Sequence, residues 1–210
     1  MNRHVLLGCR GCGSAIVEAM FALADIPYEF DEVELSGDGP GRRRLLALNP
    51  LGQVPTLLLP DGTVMTESAA IALHVDEIAP RAHLVPPPGD PSRPAFLRWL
   101  QFVVCAIYPT YTYGDDPSRW VPAGAAADAL RVSTDEHRKR LWLQLDAAAS
   151  RKGPWFLGTR FSALDLYIAV MAAWRPGRAW IGEHCPRLAA CADMARTRPE
   201  VADILRLNFP

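Results

Sequence analysis

No apolar run in the chain approaches the roughly 18 residues of a membrane span, and neither charge sign dominates. Lys and Arg number 22 against 23 Asp and Glu, a net charge of −1. That balance provides no electrostatic footing for a polyanion, so neither nucleic acid nor an anionic membrane is expected as a partner. Cysteine is scarce and odd in number, at five, unlike the even framework of a secreted disulfide scaffold. Only a few apolar residues follow Met1-Asn2-Arg3-His4, so no signal peptide is expected. A reducing cytoplasm is the expected location.

What is present is a core's worth of apolar residues, half of 210, enough for one large domain or two small ones. Val5 to Leu7 is a short apolar strand candidate. It runs into Gly8-Cys9-Arg10-Gly11-Cys12-Gly13-Ser14, and Ile16, Ala19, Met20 and Leu23 follow at helical spacing. Tyr28 and Phe30 alternate with Glu29, and Val33 and Leu35 resume after a slip, predicting a second strand and a βαβ unit. Ser36 to Gly41 reads as loop, and Arg42-Arg43-Arg44 as a solvated helix start more readily than a ligand contact. Leu57–Leu59, Pro60-Asp61-Gly62 and Thr63–Met65 predict a hairpin. A helix opens at Glu67-Ser68 and runs through Ile71, Val75 and Ile78.

The pattern βαβ, connecting segment, ββα predicts an α/β thioredoxin-like domain over residues 1–80. Prolines at 86, 87, 88, 91 and 94 mark residues 81–94 as a linker. Residues 95–210 carry little strand signal and predict an all-α domain. Ala95 to Tyr108 is helical and broken by Pro109; further helices fall over Ala123–Ala149, Ser162–Trp174, Ala189–Arg196 and Pro199–Leu207. Ser162-x-x-Asp165 has the spacing of a capping box, with Phe161 and Leu166 placed as a hydrophobic staple. That is a structural motif, not a catalytic one.

Asn49-Pro50-Leu51-Gly52-Gln53-Val54-Pro55, a hairpin, and then Glu67-Ser68-x-Ala-Ile resembles the glutathione-binding half of cytosolic glutathione transferases, of bacterial type. The resemblance implies that Val54 pairs its backbone with the cysteinyl part of glutathione before a cis Pro55. It implies that Glu67 and Ser68 hold the γ-glutamyl end; Gln53 is a candidate for a further backbone or glycine-carboxylate contact. A helix start suits this task, because its unpaired amides and partial positive charge favour a carboxylate. The expected activity is attack of the glutathione thiolate on a small apolar electrophile, with glutathione as co-substrate, no metal, and a homodimer as the family usually forms.

The group that helps the thiolate in this family is a Tyr, Ser or Cys just after the first strand. Counted back from Ile26, Leu7 falls at the tyrosine position, Gly11 at the serine position and Gly13 at the cysteine position. A small loop shift brings in Cys12, with Ser14 and Cys9 as neighbours. Cys12, near a helix start and Arg10, suits a lowered thiol pKa; the other reading is a small packing residue. Cys9 reads as strand-end packing, and Ser14 as either a cap or a donor. Cys9-x-x-Cys12 also has redox-pair spacing, although a glutaredoxin-like pair would fall at positions 11 and 14. Two alternatives therefore stay open: a glutathione-dependent thiol–disulfide oxidoreductase using Cys12, and a non-catalytic glutathione-fold binding protein. Cys105, Cys185 and Cys191 read as core residues. The electrophile is expected between the domains, on Tyr108, Tyr111, Tyr113 and Trp120, in a non-helical break around Pro109.

Overall fold

The computed structural model describes residues 3–210. Two compact units emerge, one of residues up to Val85 together with Met194–Pro210, the other Pro86–Asp193.

In the first unit β1 (His4–Gly8), α1 (Ser14–Ala24), β2 (Tyr28–Glu32) and α2 (Pro40–Leu48) precede β3 (Thr56–Leu58), β4 (Val64–Met65) and α3 (Ser68–Ile78). The sheet order is β2-β1-β3-β4, with β1 parallel to β2 and antiparallel to β3, and β3 antiparallel to β4. This is the thioredoxin-like arrangement. β1 is central, and Leu6 and Leu7 are both fully buried. α1 is enclosed by its unit and apolar apart from Ser14 and Glu18, with Ala15, Ile16, Val17, Ala19, Met20 and Phe21 all at 0% exposure.

The slip after Tyr28 has a physical reason. β2 ends at Glu32; the Val33 amide turns to donate to the Gly8 carbonyl at 2.8 Å, and Val33 joins Leu7 and Leu45 in a small core while Leu35 is exposed. The expected loop over Ser36–Gly41 is shorter, because α2 starts at Pro40, where a missing amide costs nothing. Glu34 caps this helix from outside, taking the Arg42 amide at 3.1 Å. The three arginines are paired as well as partly solvated. Arg42 donates to Gly52 O at 2.7 Å, Arg43 to Asp38 O, and Arg44 meets Asp31 at 2.6 Å. In the hairpin turn Gly62 takes φ 89° and Asp61 Oδ1 accepts the Thr63 amide at 2.8 Å.

A final helix, α10 (Pro199–Asn208), packs on α1. The expected helical domain of residues 95–210 is therefore shorter at its end, since residues 194–210 cluster with the sheet unit. The apolar side chains of Val201 and Leu205, both buried, account for that attachment.

The second unit contains no named strand. It holds α4 (Arg93–Phe102), α5 (Tyr108–Asp115), α6 (Ala125–Ala148), α7 (Ala163–Met171), α8 (Arg178–His184) and most of α9 (Pro186–Arg196). Pro94 belongs to the first turn of α4 instead of the linker, where proline is tolerated. Pro109 does not break the chain into a loop. A π-helical turn over Val103–Ile107 joins α4 to α5, and the Tyr108 amide reaches back five residues to Val103 O. The wider turn absorbs the residue whose amide is missing. At α7 the capping box forms as expected: Asp165 takes the Ser162 amide at 2.9 Å and also the Phe156 amide at 2.8 Å.

Candidate active site

The loop before β3 is built from its buried polar pair. Asn49 Nδ2 donates to Gln53 O and to Thr56 Oγ1, both at 3.1 Å, and Thr56 Oγ1 donates to Gln53 O at 2.9 Å. The Gln53 carbonyl is thus held inward while its side chain stays exposed. Gly52, at φ 61°, lies where a Cβ would strike the Arg42 guanidinium. These contacts fix the loop without using Val54. Among the described residues, neither backbone group of Val54 carries a hydrogen bond, although Val54 is only half-buried. The Val54–Pro55 peptide is cis.

The hairpin that follows pairs Leu57 with Met65 and Leu58 with Val64, and β4 ends two residues before Glu67. Glu67 takes φ 62°, ψ 101° at the cap of α3, a conformation uncommon for a residue with a Cβ and one that clusters at functional sites. Its carboxylate is exposed, and Ser68 opens the helix, nearly buried. The first intrahelical bond runs from Ile71 N to Glu67 O, so the preceding turn presents its positive end. A carboxylate, an ammonium and an amide-bearing backbone would each find a complement along this edge.

The β1–α1 turn departs from the expected thiol. Cys9 and Cys12, both half-buried, are joined as a disulfide, so in this structure Cys12 has no thiol hydrogen to offer a ligand. Ser14 is fully buried. Its hydroxyl donates to Cys9 O at 3.0 Å and accepts the Cys9 amide at 3.2 Å, which spends it on the turn. Gly8 leaves room for that pairing, since a Cβ there would collide with Ser14 and with Phe30.

Two residues behind the turn, Glu18 and Asn208, escaped the sequence reading. Glu18, 1% exposed, takes Arg10 at 3.0 Å and Tyr28 Oη at 3.3 Å. Asn208 Nδ2 donates to Glu18 Oε1 at 3.0 Å, while Asn208 Oδ1 accepts the Gly11 amide at 3.1 Å. The Arg10 guanidinium also covers the Phe30 ring at 4.1 Å. Burial and the neighbouring Glu18 carboxylate push the Tyr28 phenol well above its ordinary value. A Glu on the otherwise apolar α1 was the one signal in the sequence for this network.

The four aromatic candidates divide into two pairs. Tyr108 and Tyr111 lie inside the helical unit, edge-on to Trp174 at 5.6 and 5.1 Å. Tyr111 Oη donates to Arg175 O at 2.8 Å and Arg138 covers its ring at 3.9 Å, while burial pushes its phenol up to about 12. The Tyr108 hydroxyl is buried without a partner among the described residues. Tyr113 and Trp120 instead form an exposed edge-on pair at 4.9 Å. Tyr108, Tyr111 and Tyr113 are on α5, not in the expected irregular break. Cys105 is exposed, contrary to its reading as core; Cys185 and Cys191 are buried, and burial pushes both thiols up to about 12.

Residues 14–78 match the family model described as glutathione S-transferase, N-terminal domain. The chain is 39% identical over 204 residues, 96% of each chain, to the uncharacterized GST-like protein YncG of Escherichia coli K12. It is 30% identical to the glutathione S-transferase GstA of Escherichia coli O157:H7 over 162 residues, 76% of this chain and 75% of that one. Among solved structures, it is similar to a glutathione transferase homologue from Sulfitobacter with bound glutathione. The TM-score is 0.85 and the identity 27%, covering 98% of both chains.

Proposed function

This chain belongs to the glutathione S-transferase family, and from that we propose that it binds glutathione and transfers its sulfur to a small apolar electrophile. The observation that carries the reading is the Val54 backbone, which makes no hydrogen bond among the described residues and is followed, after the hairpin, by the start of α3. In this reading Val54 N–H and C=O pair with the cysteinyl amide group as a short antiparallel strand would. Ser68 and the first turn of α3 take the γ-glutamyl carboxylate, the exposed Glu67 takes its ammonium, and Gln53 meets the glycine carboxylate. The thiolate then attacks the electrophilic carbon, forming a carbon–sulfur bond while the bond to the leaving group breaks and that group departs with its electron pair, as halide does from an aryl halide. The electrophile rests on aromatic side chains, for which we place Tyr108 first, backed by the buried Tyr111, with the exposed Tyr113–Trp120 pair as a second, separate candidate surface. Once reduced, Cys12 is the donor to the bound sulfur, with Cys9 and Ser14 holding the turn. The working form we propose is a cytoplasmic homodimer.

Titration calorimetry with glutathione, followed by an absorbance assay with an activated aryl halide, tests the reading. Saturable one-site binding with conjugation above the uncatalysed rate is expected. Absence of glutathione binding would refute it, and binding without conjugation would favour the non-catalytic alternative. Mixed-disulfide reduction without conjugation would favour the oxidoreductase.

A further inference from the structure

The bond between Cys9 and Cys12 closes a turn in which the Cys12 amide already donates to Cys9 O at 3.3 Å and Gly11 takes φ 73°. The turn has anchors that do not involve sulfur. Gly11 N–H is held by Asn208 at 3.1 Å, Arg10 by Glu18 at 3.0 Å, and both backbone groups of Cys9 by the Ser14 hydroxyl. Opening the sulfur–sulfur bond therefore frees two side chains and leaves the backbone in place. The pair is also half-buried, within reach of a small thiol, unlike the buried Cys185 and Cys191. Cys12 precedes Gly13, the cap of α1, and its carbonyl accepts the Ala15 amide at 3.1 Å. Its backbone thus stands immediately before the positive end of an 11-residue helix.

We propose that Cys9 and Cys12 are a working redox couple, opened by low-molecular-weight thiols and closed by their disulfides, and that the dithiol form serves the bound sulfur. The second clause rests on the glutathione reading above. In the opening step a thiolate attacks Cys9 Sγ and forms a mixed disulfide. The Cys9–Cys12 bond breaks and its electron pair leaves on Cys12, where the helix end offsets the charge. A second thiolate attacks the reductant's sulfur in the mixed disulfide, releasing Cys9 and the reductant's own disulfide. Two electrons pass from two thiols to the protein, and the two thiol protons end on the cysteines. While the pair is closed, Cys12 has no hydrogen to donate, so conjugation runs slower until the pair is reduced.

The test uses the full chain with Cys105→Ser, which removes the exposed thiol. One sample is equilibrated with glutathione disulfide and another with dithiothreitol; both are desalted, labelled with maleimide under native conditions and weighed intact. Two labels on the reduced protein and none on the oxidised protein are expected. Equal labelling overturns the couple. Conjugation is then started with glutathione and an activated aryl halide. The oxidised protein should show a lag that the reduced protein lacks, and Cys9→Ser should abolish the difference. A change in labelling with no lag overturns the gating. Failure of glutathione to bind either form would overturn the gating with the transferase reading, while the labelling still decides the couple.

Discussion

Asn208 accepts the amide hydrogen of Gly11 at 3.1 Å across 197 positions of the chain, tying the last helix to the turn that carries Cys9 and Cys12. The other end of the same side chain donates to Glu18 Oε1 at 3.0 Å and to Ile204 O at 3.0 Å. A carboxamide suits this place because it donates and accepts at once; the buried Glu18 carboxylate can only accept. The C-terminal helix is thereby part of the sheet unit's chemistry and not an appendage to the helical one.

Asn208→Ala strands the Gly11 amide and removes a donor from Glu18. A loss of about 1–3 kcal/mol is expected, the cost of a buried polar group left without its partner, seen as a lower urea midpoint. Asn208→Asp should cost more, since it sets a second carboxylate against Glu18. An unchanged midpoint for the alanine variant would show that the network does not hold α10.

At the glutathione edge, Ser68→Ala should weaken glutathione binding by about 1–3 kcal/mol, measured by calorimetry. Glu67→Gln keeps the shape and loses the charge, so its effect should shrink as salt rises. Unchanged affinity in both variants would remove the γ-glutamyl end from this helix start.

The apolar run Leu57–Leu59 and the alternating Thr63–Met65 around Pro60-Asp61-Gly62 made the hairpin legible, and the polar start at Glu67-Ser68 did the same for α3. Ser162-x-x-Asp165 was equally readable, because a capping box is local. Long-range pairings were not. Asn208 and Glu18 meet only when α10 folds back on α1, and no local spacing announces it. Pro109 misled for a related reason: proline forbids an α-helical hydrogen bond, yet a π-turn before it let the helix go on, carrying Tyr111 into the core. The closed Cys9–Cys12 pair was visible as a spacing, but its state was not.

Asp165 gives a pH signature. Burial raises its carboxyl from 3.8 to about 6, against the hydrogen bonds from Phe156 and Ser162. Between those values the folded chain holds more protons than the unfolded one, so stability from this group is full below about 4 and lost as pH rises through about 6. A shift of about 2 units corresponds to about 3 kcal/mol. Asp165→Asn leaves one of two amide donors unmet and removes the titration. Urea unfolding of both proteins at pH 4 to 7 should show the wild type's advantage shrinking as pH rises. An advantage that grows with pH would mean that the hydrogen bonds outweigh burial.

The last prediction separates the two candidate helpers of the sulfur. The Ser14 hydroxyl is committed in both directions to Cys9 and is fully buried, so Ser14→Ala should appear chiefly as lost stability, about 1–3 kcal/mol, in the urea midpoint. Cys12 has the free geometry once the disulfide is open. Cys12→Ser keeps a hydroxyl donor and should retain conjugation while losing its dependence on added reductant. Cys12→Ala removes the donor, and a net hydrogen bond of about 0.5–1.5 kcal/mol predicts a rate lower by roughly 2- to 13-fold in the reduced protein. Initial rates at saturating glutathione, with folding checked by circular dichroism, decide between them. If Ser14→Ala stays folded and loses conjugation while Cys12→Ala keeps it, the serine is the helper and the cysteine pair is not part of the transfer.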